Sequence, residues 1–467
     1  MKLATSLLDQ LHAIFADDAL TTDPAECLTY GYDNSRRQAQ PDAVVLPTAH
    51  EQVVALVQAC RAARIPLIAR GRGTNTTGAT VPVAGGIVAS FERMNRILSI
   101  DVDNRYAVVE PGVLNGDLQT ALAAHGFFWP PDPTSSPYCT IGGNLACNAA
   151  GPRAVKYGSC RENTLGLRAV AGTGEEFRCG VYTSKGATGY DLTRLLIGAE
   201  GTLALITQAT LKLTPKPTAK RTLSANYADV ASAAAAVVRI MAQPVTPCAL
   251  EFLDAESLRL ARAHGGDAIA DAGAMLIVEV DGEPNALADA ADAVAHAARG
   301  KGLLDLRVAA DATDVELLWA ARRALSPALR ILAPNKINAD VVVPVSRLPE
   351  LIDGLRRISI KYTIPIVGFG HAGNGNIHVN LLYRPDAAAQ VANAPDCLAA
   401  VFDLVLALDG TLSGEHGIGL AKRDFLSKAL DPAALSLMRR IKAQFDPDGI
   451  LNPGKLLPDA DGSGQAQ

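Results

Sequence analysis

Two glycine-rich segments hold three of the eight histidines in the chain. In the first, His371 and His378 flank a Gly/Asn-rich turn, and apolar residues on both sides predict a strand–turn–strand hairpin. The second, residues 413–419, contains Glu415 and His416. A single histidine beside glycines is usually a turn residue, but two imidazoles and a carboxylate suit a divalent metal with an open coordination position. The spacing leaves open which of Glu415 and His416 is the ligand and which is a proton-transferring base.

A second candidate ligand site is the loop of residues 70–78, which follows a short strand pattern. Its glycines would let backbone N–H groups face an anion, and its threonines and Asn75 add donors, so a phosphate cradle and an ordinary turn are both open interpretations. The glycine order does not fit the G-x-G-x-x-G dinucleotide fingerprint, and no helical pattern follows. Ala79 stands where a P-loop requires lysine. The loop therefore favours neither a nicotinamide site nor nucleotide hydrolysis.

Length and composition limit the class of protein. At 467 residues the chain is too long for one core, so two or three domains are expected. The net charge of −5 and the lack of a basic block argue against nucleic acid as a partner. No uncharged apolar run has membrane-spanning length and no signal-peptide pattern is visible, which predicts a cytoplasmic location. The eight cysteines form no C-x-x-C pair, which argues against a zinc ribbon or an iron–sulfur cluster.

The order of elements predicts an α+β architecture in two parts. Before the proline-rich linker at residues 214–217, many glycine and proline turns separate short apolar segments. Beyond the linker the pattern strand–helix–strand occurs twice, which is typical of a split ferredoxin-like domain. The four strands predicted there are residues 222–226, 249–253, 274–280 and 304–309.

Four sets of residues match a known family. They are the loop of residues 70–78, Pro131-Asp132-Pro133 with residues 140–144, Gly201-Thr202-Leu203, and the two histidine segments ahead of Asn452-Pro453-Gly454-Lys455. From about Pro41 to Lys455, the chain resembles the FAD-linked oxidases of the vanillyl-alcohol-oxidase type. Within these it is similar to the D-2-hydroxyacid dehydrogenase branch, which contains D-lactate dehydrogenase, the glycolate oxidase flavin subunit and D-2-hydroxyglutarate dehydrogenase.

The resemblance implies an α+β fold with a two-part FAD-binding domain. The expected domains are an FAD-binding domain at residues 1–217, a ferredoxin-like substrate or cap domain at 218–410, and a C-terminal segment at 411–457 that returns to the FAD domain. Residues 458–467 are expected to form a flexible tail.

The resemblance also implies a set of FAD-binding residues. No histidine lies in the loop of residues 70–78, so FAD is expected to bind non-covalently, with Cys139 as the one residue nearby that relatives could use for attachment. The residues expected to bind FAD are Arg70, Gly71, Arg72, Gly73, Thr74, Asn75, Thr77, Gly78, Pro131, Asp132, Thr140, Ile141, Gly142, Gly143, Asn148, Gly151, Gly201, Ile206 and Asn452.

By the same resemblance, His371, His378 and Glu415 are expected metal ligands and His416 the catalytic base. Zinc is the favoured metal, with manganese or iron as alternatives. Metal and base together would ease removal of the hydroxyl proton of a 2-hydroxyacid, while the Cα hydride passes to flavin N5. The substrate carboxylate needs a cation, and Arg322 lies in a segment that resembles the carboxylate-binding helix of the family. The further residues expected to bind substrate are Ser326, Lys336 and Asn380.

Two features bear on the substrate and the acceptor. Residues 131–135 and the pair Arg322-Arg323 are closer to the lactate and glycolate enzymes than to the hydroxyglutarate enzymes, which favours D-lactate as substrate. The absence of a nicotinamide motif favours a quinone, a cytochrome or an electron-transfer flavoprotein as acceptor. A homodimer and a peripheral association with the inner membrane both remain open.

Two alternatives come from other classes of protein. A metallohydrolase would use the His/His/Glu centre with water as nucleophile, but it leaves the N-terminal glycine loops unexplained. A flavin-binding electron-transfer subunit would have no substrate chemistry of its own.

Overall fold

A computed structural model describes residues 3–265 and 269–459, without the side chains of residues 264, 265, 321, 324, 326, 327, 330 and 331. Within these residues helices and strands are interleaved. The helices are α1 (Thr5–Ile14), α2 (Pro24–Leu28), α3 (His50–Ala63), α4 (Asn115–Ala123), α5 (Ile141–Cys147), α6 (Ala154–Tyr157), α7 (Leu192–Leu196), α8 (Val230–Ala242), α9 (Ala255–Gly265), α10 (Pro284–Ala298), α11 (Ala312–Leu332), α12 (Leu348–Tyr362), α13 (Ala388–Ala407), α14 (Leu426–Ala429) and α15 (Pro432–Phe445). The strands are β1 (Leu20–Thr21), β2 (Ala43–Val45), β3 (Leu67–Arg70), β4 (Ile87–Ser90), β5 (Ile97–Asp101), β6 (Tyr106–Val109), β7 (Phe127–Phe128), β8 (Thr164–Ala171), β9 (Glu176–Gly180), β10 (Ala204–Lys212), β11 (Thr214–Pro215), β12 (Ala219–Tyr227), β13 (Ala249–Asp254), β14 (Ala274–Gly282), β15 (Leu303–Val308), β16 (Asn335–Val342), β17 (Ile366–Gly370) and β18 (Asn376–Tyr383).

The chain divides into two compact units. Unit 1 contains residues 1–150, 158–216 and 415–467, and unit 2 contains residues 151–157 and 217–414. The division differs from the expected boundaries by one residue at 217, which lies in unit 2, and at two further segments. Residues 151–157 lie with unit 2 because Lys156 Nζ and Tyr157 Oη both hydrogen-bond the carboxylate of Asp281 in β14. Residues 411–414 lie there because Thr411 forms an antiparallel bridge to Val342. Most of the expected tail, residues 460–467, lies outside the described residues.

Unit 1 is built on two main sheets. One has the order β1-β2-β4-β3 with parallel pairing around β4, and the other is antiparallel with the order β5-β6-β10-β8-β9. A short pair, β11 with β7, completes the strands of this unit. Helix α3 covers the first sheet through an apolar stripe that includes Val53, Leu56 and Val57, all fully buried.

The C-terminal segment is part of the first sheet of unit 1. Leu451 pairs in parallel with Leu67 of β3, with Leu67 N–H donating to Ile450 O at 2.8 Å and Asn452 N–H donating to Leu67 O at 2.9 Å. Helix α15 precedes this pairing and begins with Pro432. The side chain of Asp431 caps it by accepting hydrogen bonds from the N–H groups of Ala433 and Ala434. Residues that are distant in sequence thus come together beside the loop that follows β3.

Unit 2 contains a seven-stranded sheet in the order β15-β12-β14-β13-β17-β18-β16, with every neighbouring pair antiparallel. Its first four strands, with α8 and α10, form the expected split ferredoxin-like arrangement of two strand–helix–strand repeats. Helix α9, which the sequence pattern did not predict, is inserted between β13 and β14. The first seven residues of β14 and of β18 are buried, so both faces of the sheet are covered.

One helix of unit 2 resembles a membrane span in length and composition. Helix α13 has 20 residues and a mean hydropathy of 1.3. It contains Pro395 and buries Cys397, Val401 and Phe402 inside unit 2. Of the most apolar 18 residues of α13, 28% are buried, and α13 is the one helix of this length and composition among the described residues.

Candidate functional site

The predicted histidine hairpin is present in unit 2. Strands β17 and β18 pair antiparallel, and the connection between them ends at Gly375, whose φ is +73° and where a Cβ would lie 1.9 Å from Val343 O. Only glycine fits this turn. His371 directly follows β17 and His378 lies in β18, and their ring centroids are 5.2 Å apart. Both side chains are buried, so the fold brings two imidazoles together away from solvent.

Each imidazole faces its own buried carboxylate. His371 Nδ1 lies 2.5 Å from Glu251 Oε1, and His378 Nδ1 lies 3.6 Å from Asp340 Oδ1. Glu251 and Asp340 are at most 1% exposed. Burial raises the pKa of Glu251, but His371 and Arg322 outweigh this effect and lower that pKa to about 2. An ionised carboxylate only accepts hydrogen bonds, so Nδ1 of His371 donates to Glu251, and Nε2 is the ring nitrogen that a metal could bind.

This donor set fits a divalent metal ion. Imidazole Nε2 atoms whose Nδ1 atoms face carboxylates are the usual arrangement of metal-binding histidines, because the carboxylate fixes the tautomer and the ring orientation. His371 and His378 would supply two such nitrogens. The sequence pattern identified both histidines but neither Glu251 nor Asp340. Their only sequence signal is a carboxylate with an apolar residue on each side.

Asp340 also holds the segment that leads to Glu415. Its Oδ2 accepts hydrogen bonds from Gly414 N–H at 3.0 Å and from Ser413 Oγ at 3.2 Å, and its Oδ1 accepts one from Asn376 Nδ2 at 2.7 Å. Gly414 is the last residue of unit 2, and Glu415 follows it by one peptide bond as the first residue of the next segment of unit 1.

The segment around His416 is fixed within unit 1. The carbonyl of His416 accepts a hydrogen bond from Asn75 Nδ2 at 2.8 Å. The buried carboxylate of Glu200 accepts hydrogen bonds from Ile418 N–H at 2.6 Å and Gly419 N–H at 2.8 Å, and burial raises its pKa. The loop of residues 70–78 is therefore hydrogen-bonded directly to the backbone of His416, the predicted base.

The expected substrate residues have different surroundings. Arg322 in α11 donates through Nε to Glu251 Oε2 at 2.7 Å, and its guanidinium carbon lies 4.7 Å from the ring centroid of Phe369. Asn380 in β18 is fully buried and donates to His378 O at 2.9 Å, while its Oδ1 accepts no hydrogen bond from the described residues. Lys336 lies in β16, which pairs with β18. Ser326 lies in α11, and its side chain is outside the described part of the structure.

The two expected FAD loops are adjacent in unit 1. A Cβ at Gly71 would lie 2.4 Å from Thr140 Oγ1, and one at Gly142 would lie 2.6 Å from Pro111 Cβ. Residues 141–144 are the start of α5, and Thr140 caps this helix by accepting a hydrogen bond from Gly143 N–H. The close packing explains why glycine occupies both positions.

Two buried polar atoms in these loops have no hydrogen-bond partner among the described residues. They are Nδ2 of Asn144 and Oγ1 of Thr76. Leaving a buried donor unsatisfied is costly, so such atoms are expected where a polar ligand binds. The glycine loops and these two atoms fit a cofactor with many acceptor oxygens, as FAD has.

Most of the other expected FAD residues lie in four segments of unit 1. Those in the connection between β3 and β4 are Arg72, Gly73, Thr74, Asn75, Thr77 and Gly78, those between β7 and α5 are Pro131 and Asp132, those in α5 are Ile141 and Gly143, and those before and in β10 are Gly201 and Ile206.

Three expected FAD residues have structural contacts that account for their side chains. Arg70 is buried and donates to Tyr32 O at 2.6 Å. Asn148 ends α5 with φ of +53° and accepts a hydrogen bond from Ser159 Oγ at 2.8 Å. Asn452 Nδ2 donates to Ala79 O and Glu200 O. Gly151 belongs to unit 2, unlike the rest of the set, because residues 151–157 are attached to β14.

Two models of known protein families match this chain. The family model "FAD binding domain" matches residues 41–180, and "FAD linked oxidases, C-terminal domain" matches residues 216–456. The chain belongs to the FAD-linked oxidase family. The protein is an FAD-linked oxidoreductase, which contradicts the metallohydrolase alternative.

Three curated relatives of this FAD-linked oxidase have different names. It is 36% identical to "Glycolate oxidase subunit GlcD" of Bacillus subtilis, with 96% of each chain covered. It is 34% identical to "D-lactate dehydrogenase" of Anaerostipes hadrus, with 90% of each covered. It is 33% identical to "D-2-hydroxyglutarate dehydrogenase" of Stutzerimonas stutzeri, with 97% of this chain and 99% of the relative covered. The protein thus belongs to the D-2-hydroxyacid and glycolate oxidase branch.

A solved structure confirms the fold of this FAD-linked oxidase. The chain is similar to p-cresol methylhydroxylase with substrate bound, with a TM-score of 0.80, 18% identity and 96% of each chain covered. The protein therefore has the two-domain FAD-binding fold of the vanillyl-alcohol-oxidase type, as the sequence predicted.

Proposed function

We propose that this FAD-linked oxidase is a divalent-metal-dependent dehydrogenase that oxidises a D-2-hydroxyacid to the 2-oxoacid, with D-lactate as the first substrate to test. The observation that carries the proposal is the buried pair His371 and His378, each facing a carboxylate, with Arg322 held by the same carboxylate as His371. Glycolate and D-2-hydroxyglutarate are the alternatives, because relatives with all three names have similar identity.

Each predicted site residue has a separate proposed role. His371 and His378, with Glu415 by family resemblance, would hold the metal, for which zinc is favoured over manganese or iron. Bound FAD supplies a hydride acceptor, and a bound metal supplies positive charge that favours an ionised hydroxyl. Arg322 would bind the substrate carboxylate, with Lys336 and Asn380 as further contacts. His416 would take the hydroxyl proton, so the substrate loses one proton and one hydride in total.

The acceptor and location are further proposals. The glycine order in residues 70–78 does not match the nicotinamide fingerprint, which supports a quinone, a cytochrome or an electron-transfer flavoprotein as acceptor. We propose non-covalent FAD, a cytoplasmic protein, and either a free or an inner-membrane-associated form, alone or as a homodimer.

A substrate panel tests the proposal. The purified yellow protein is mixed without oxygen with D-lactate, L-lactate, glycolate or D-2-hydroxyglutarate, and absorbance near the flavin maximum is followed. The proposal expects D-lactate to bleach the flavin faster than the other three. A flavin that stays oxidised with every short 2-hydroxyacid would contradict dehydrogenase chemistry and favour the electron-transfer subunit. If only glycolate or only D-2-hydroxyglutarate bleaches the flavin, that acid and not D-lactate is the substrate.

A further inference from the structure

We propose that Glu251 is a positioning residue that holds a metal ligand, His371, and the substrate-binding cation, Arg322, with the two oxygens of one buried carboxylate. This inference rests on the proposed function. It adds a residue that the sequence pattern did not identify, and it links metal binding to substrate binding within unit 2.

The geometry assigns one oxygen to each partner. Oε1 lies 2.5 Å from His371 Nδ1, and Oε2 accepts from Arg322 Nε at 2.7 Å. The side chain of Glu251 is 1% exposed, and that of Arg322 is 11% exposed. The carboxylate is therefore shielded from water and bonded at both ends, so each partner is held in one orientation.

For His371 the consequence is the choice of tautomer. Because the carboxylate only accepts, the imidazole must donate from Nδ1, and in the neutral imidazole this leaves the lone pair on Nε2. A metal binds through that lone pair, and losing the partner that fixes it typically costs about 10- to 100-fold in metal affinity.

For Arg322 the consequence is orientation. The bond to Glu251 uses Nε, and the guanidinium carbon lies 4.7 Å from the ring centroid of Phe369. The two terminal amino groups point away from the Nε end of the planar group by its covalent geometry. These two groups could donate hydrogen bonds to the two oxygens of a substrate carboxylate.

A glutamine at this position would serve only one partner. Its oxygen can accept from one donor, and its NH2 group must then face the other. Facing His371, the NH2 group favours the tautomer with Nε2 protonated, which opposes metal binding. If the NH2 group faces Arg322 instead, it stands against the Nε–H donor of Arg322. Two donors cannot bond each other, so the arginine loses the contact that orients it.

Glu279 provides a matched control in the same unit. It lies in β14, is 3% exposed, and accepts hydrogen bonds from Thr222 Oγ1 at 3.1 Å and Trp319 Nε1 at 3.3 Å. Like Glu251, it is a buried carboxylate bonded to a side chain of α11, but its hydrogen bonds involve neither His371 nor Arg322.

The experiment compares Glu251→Gln with Glu279→Gln in the FAD-containing, metal-depleted protein. Free Mn²⁺ is counted by its electron paramagnetic resonance signal during titration, and the KM for D-lactate is measured separately. We expect Glu251→Gln to weaken Mn²⁺ binding about 10- to 100-fold and to raise KM at least about tenfold, with flavin content unchanged. Glu279→Gln is expected to stay within about threefold of the parent protein in both.

Two further variants separate charge from folding. Glu251→Asp keeps the negative charge and is expected to recover part of the Mn²⁺ affinity that Glu251→Gln loses, even if the glutamine variant folds poorly. Arg322→Met is expected to raise KM while leaving Mn²⁺ affinity within about threefold, because His371 keeps its carboxylate.

Distinct results would overturn the inference and the proposed function. If the parent protein binds Mn²⁺ and Glu251→Gln binds it equally well, or if Glu279→Gln loses as much affinity, Glu251 has no positioning role. If the parent protein binds no divalent metal, the metal-dependent function itself fails, and the inference fails with it.

Discussion

His416 is the residue on which proton transfer depends in the proposed function. Removing a positioned base typically costs about 10²- to 10⁴-fold in rate. We therefore expect His416→Ala to slow flavin reduction by D-lactate by that factor and to change the apparent substrate affinity much less. Stopped-flow absorbance without oxygen measures both. His125, which is exposed and follows α4, gives a matched His→Ala control. A variant that lost only substrate affinity would contradict the assignment of His416 as base.

At this scale the sequence predicts the residues that stand out by type and misses those that are hidden. His371 and His378 are visible because histidines are few and sit beside glycines. Glu251 and Asp340 each lie in a strand between two apolar residues, where an acidic residue is hard to distinguish from an exposed position until the pairing of the strand is known. The FAD contacts of Arg70 and Asn148 stay predictions, and in the structure Arg70 donates to Tyr32 O while Asn148 accepts from Ser159 Oγ.

The segment that carries His416 depends on one buried carboxylate. Both oxygens of Glu200 accept backbone hydrogen bonds, from Ile418 and Gly419. Glu200→Gln would place an NH2 group against one of these donors, at a cost of about 1–3 kcal/mol. We expect its thermal midpoint to fall by roughly 2–10 °C, measured by circular dichroism. Glu175→Gln, at an exposed position, is the control. Equal melting of the two variants would contradict this role of Glu200.

Close packing between the two FAD loops makes Gly71 sensitive to any side chain. A Cβ there would lie 2.4 Å from Thr140 Oγ1, so Gly71→Ala must displace either loop. We expect FAD affinity to fall at least about tenfold, which is about 1.4 kcal/mol, as measured by flavin retained after gel filtration and by titration of the apoprotein. Gly116→Ala, where the nearest atom to a new Cβ is 3.4 Å away, should retain FAD. If Gly71→Ala retains FAD as well as the parent protein does, the close packing at Gly71 does not limit FAD binding.

At the scale of elements, periodicity predicts strands better than it predicts short helices. The hairpin of β17 and β18 and the four ferredoxin-like strands were expected, because each is an apolar run bounded by turn residues. Helix α5 has a weak sequence signal since it contains Gly142 and Gly143, and in the structure it has a cap from Thr140 and packs closely against Pro111. Helix α9 was missed because its pattern is short and polar.

The stability of the whole molecule should depend on pH through Lys455. Burial lowers the pKa of this lysine from 10.5 to about 8, although Glu200 and Asp33 oppose the shift. Between pH 8 and 10.5 the unfolded chain binds this proton and the folded chain does not, so this group makes stability rise with pH by up to about 3 kcal/mol. Below pH 8 both states are protonated and the dependence vanishes.

Lys455→Met should remove this contribution. The difference in free energy of unfolding between the variant and the parent apoprotein is expected to shrink from pH 8 to 10.5, as followed by urea denaturation at each pH. Lys301→Met, at an exposed position, should keep a constant difference. If the difference in free energy of unfolding for Lys455→Met also stays constant, the pKa of Lys455 is not lowered in the folded apoprotein.

At the scale of the molecule, the α+β class, the flavin fold and a break near residue 217 were predictable, because linkers and repeated strand patterns are local signals. The assignment of residues 151–157 to unit 2 was not, since it depends on side-chain bonds to Asp281 more than a hundred residues away. Identity of 33–36% to relatives with three substrate names does not separate D-lactate from glycolate or hydroxyglutarate.

The most direct test is anaerobic flavin reduction by D-lactate in three preparations of the same protein: as purified, stripped of metal by a chelator, and restored with Zn²⁺ or Mn²⁺. The account predicts rapid bleaching in the first and third, and at least about a hundredfold slower bleaching in the second with FAD still bound. Equal bleaching in all three would contradict a metal-dependent oxidation at His371 and His378.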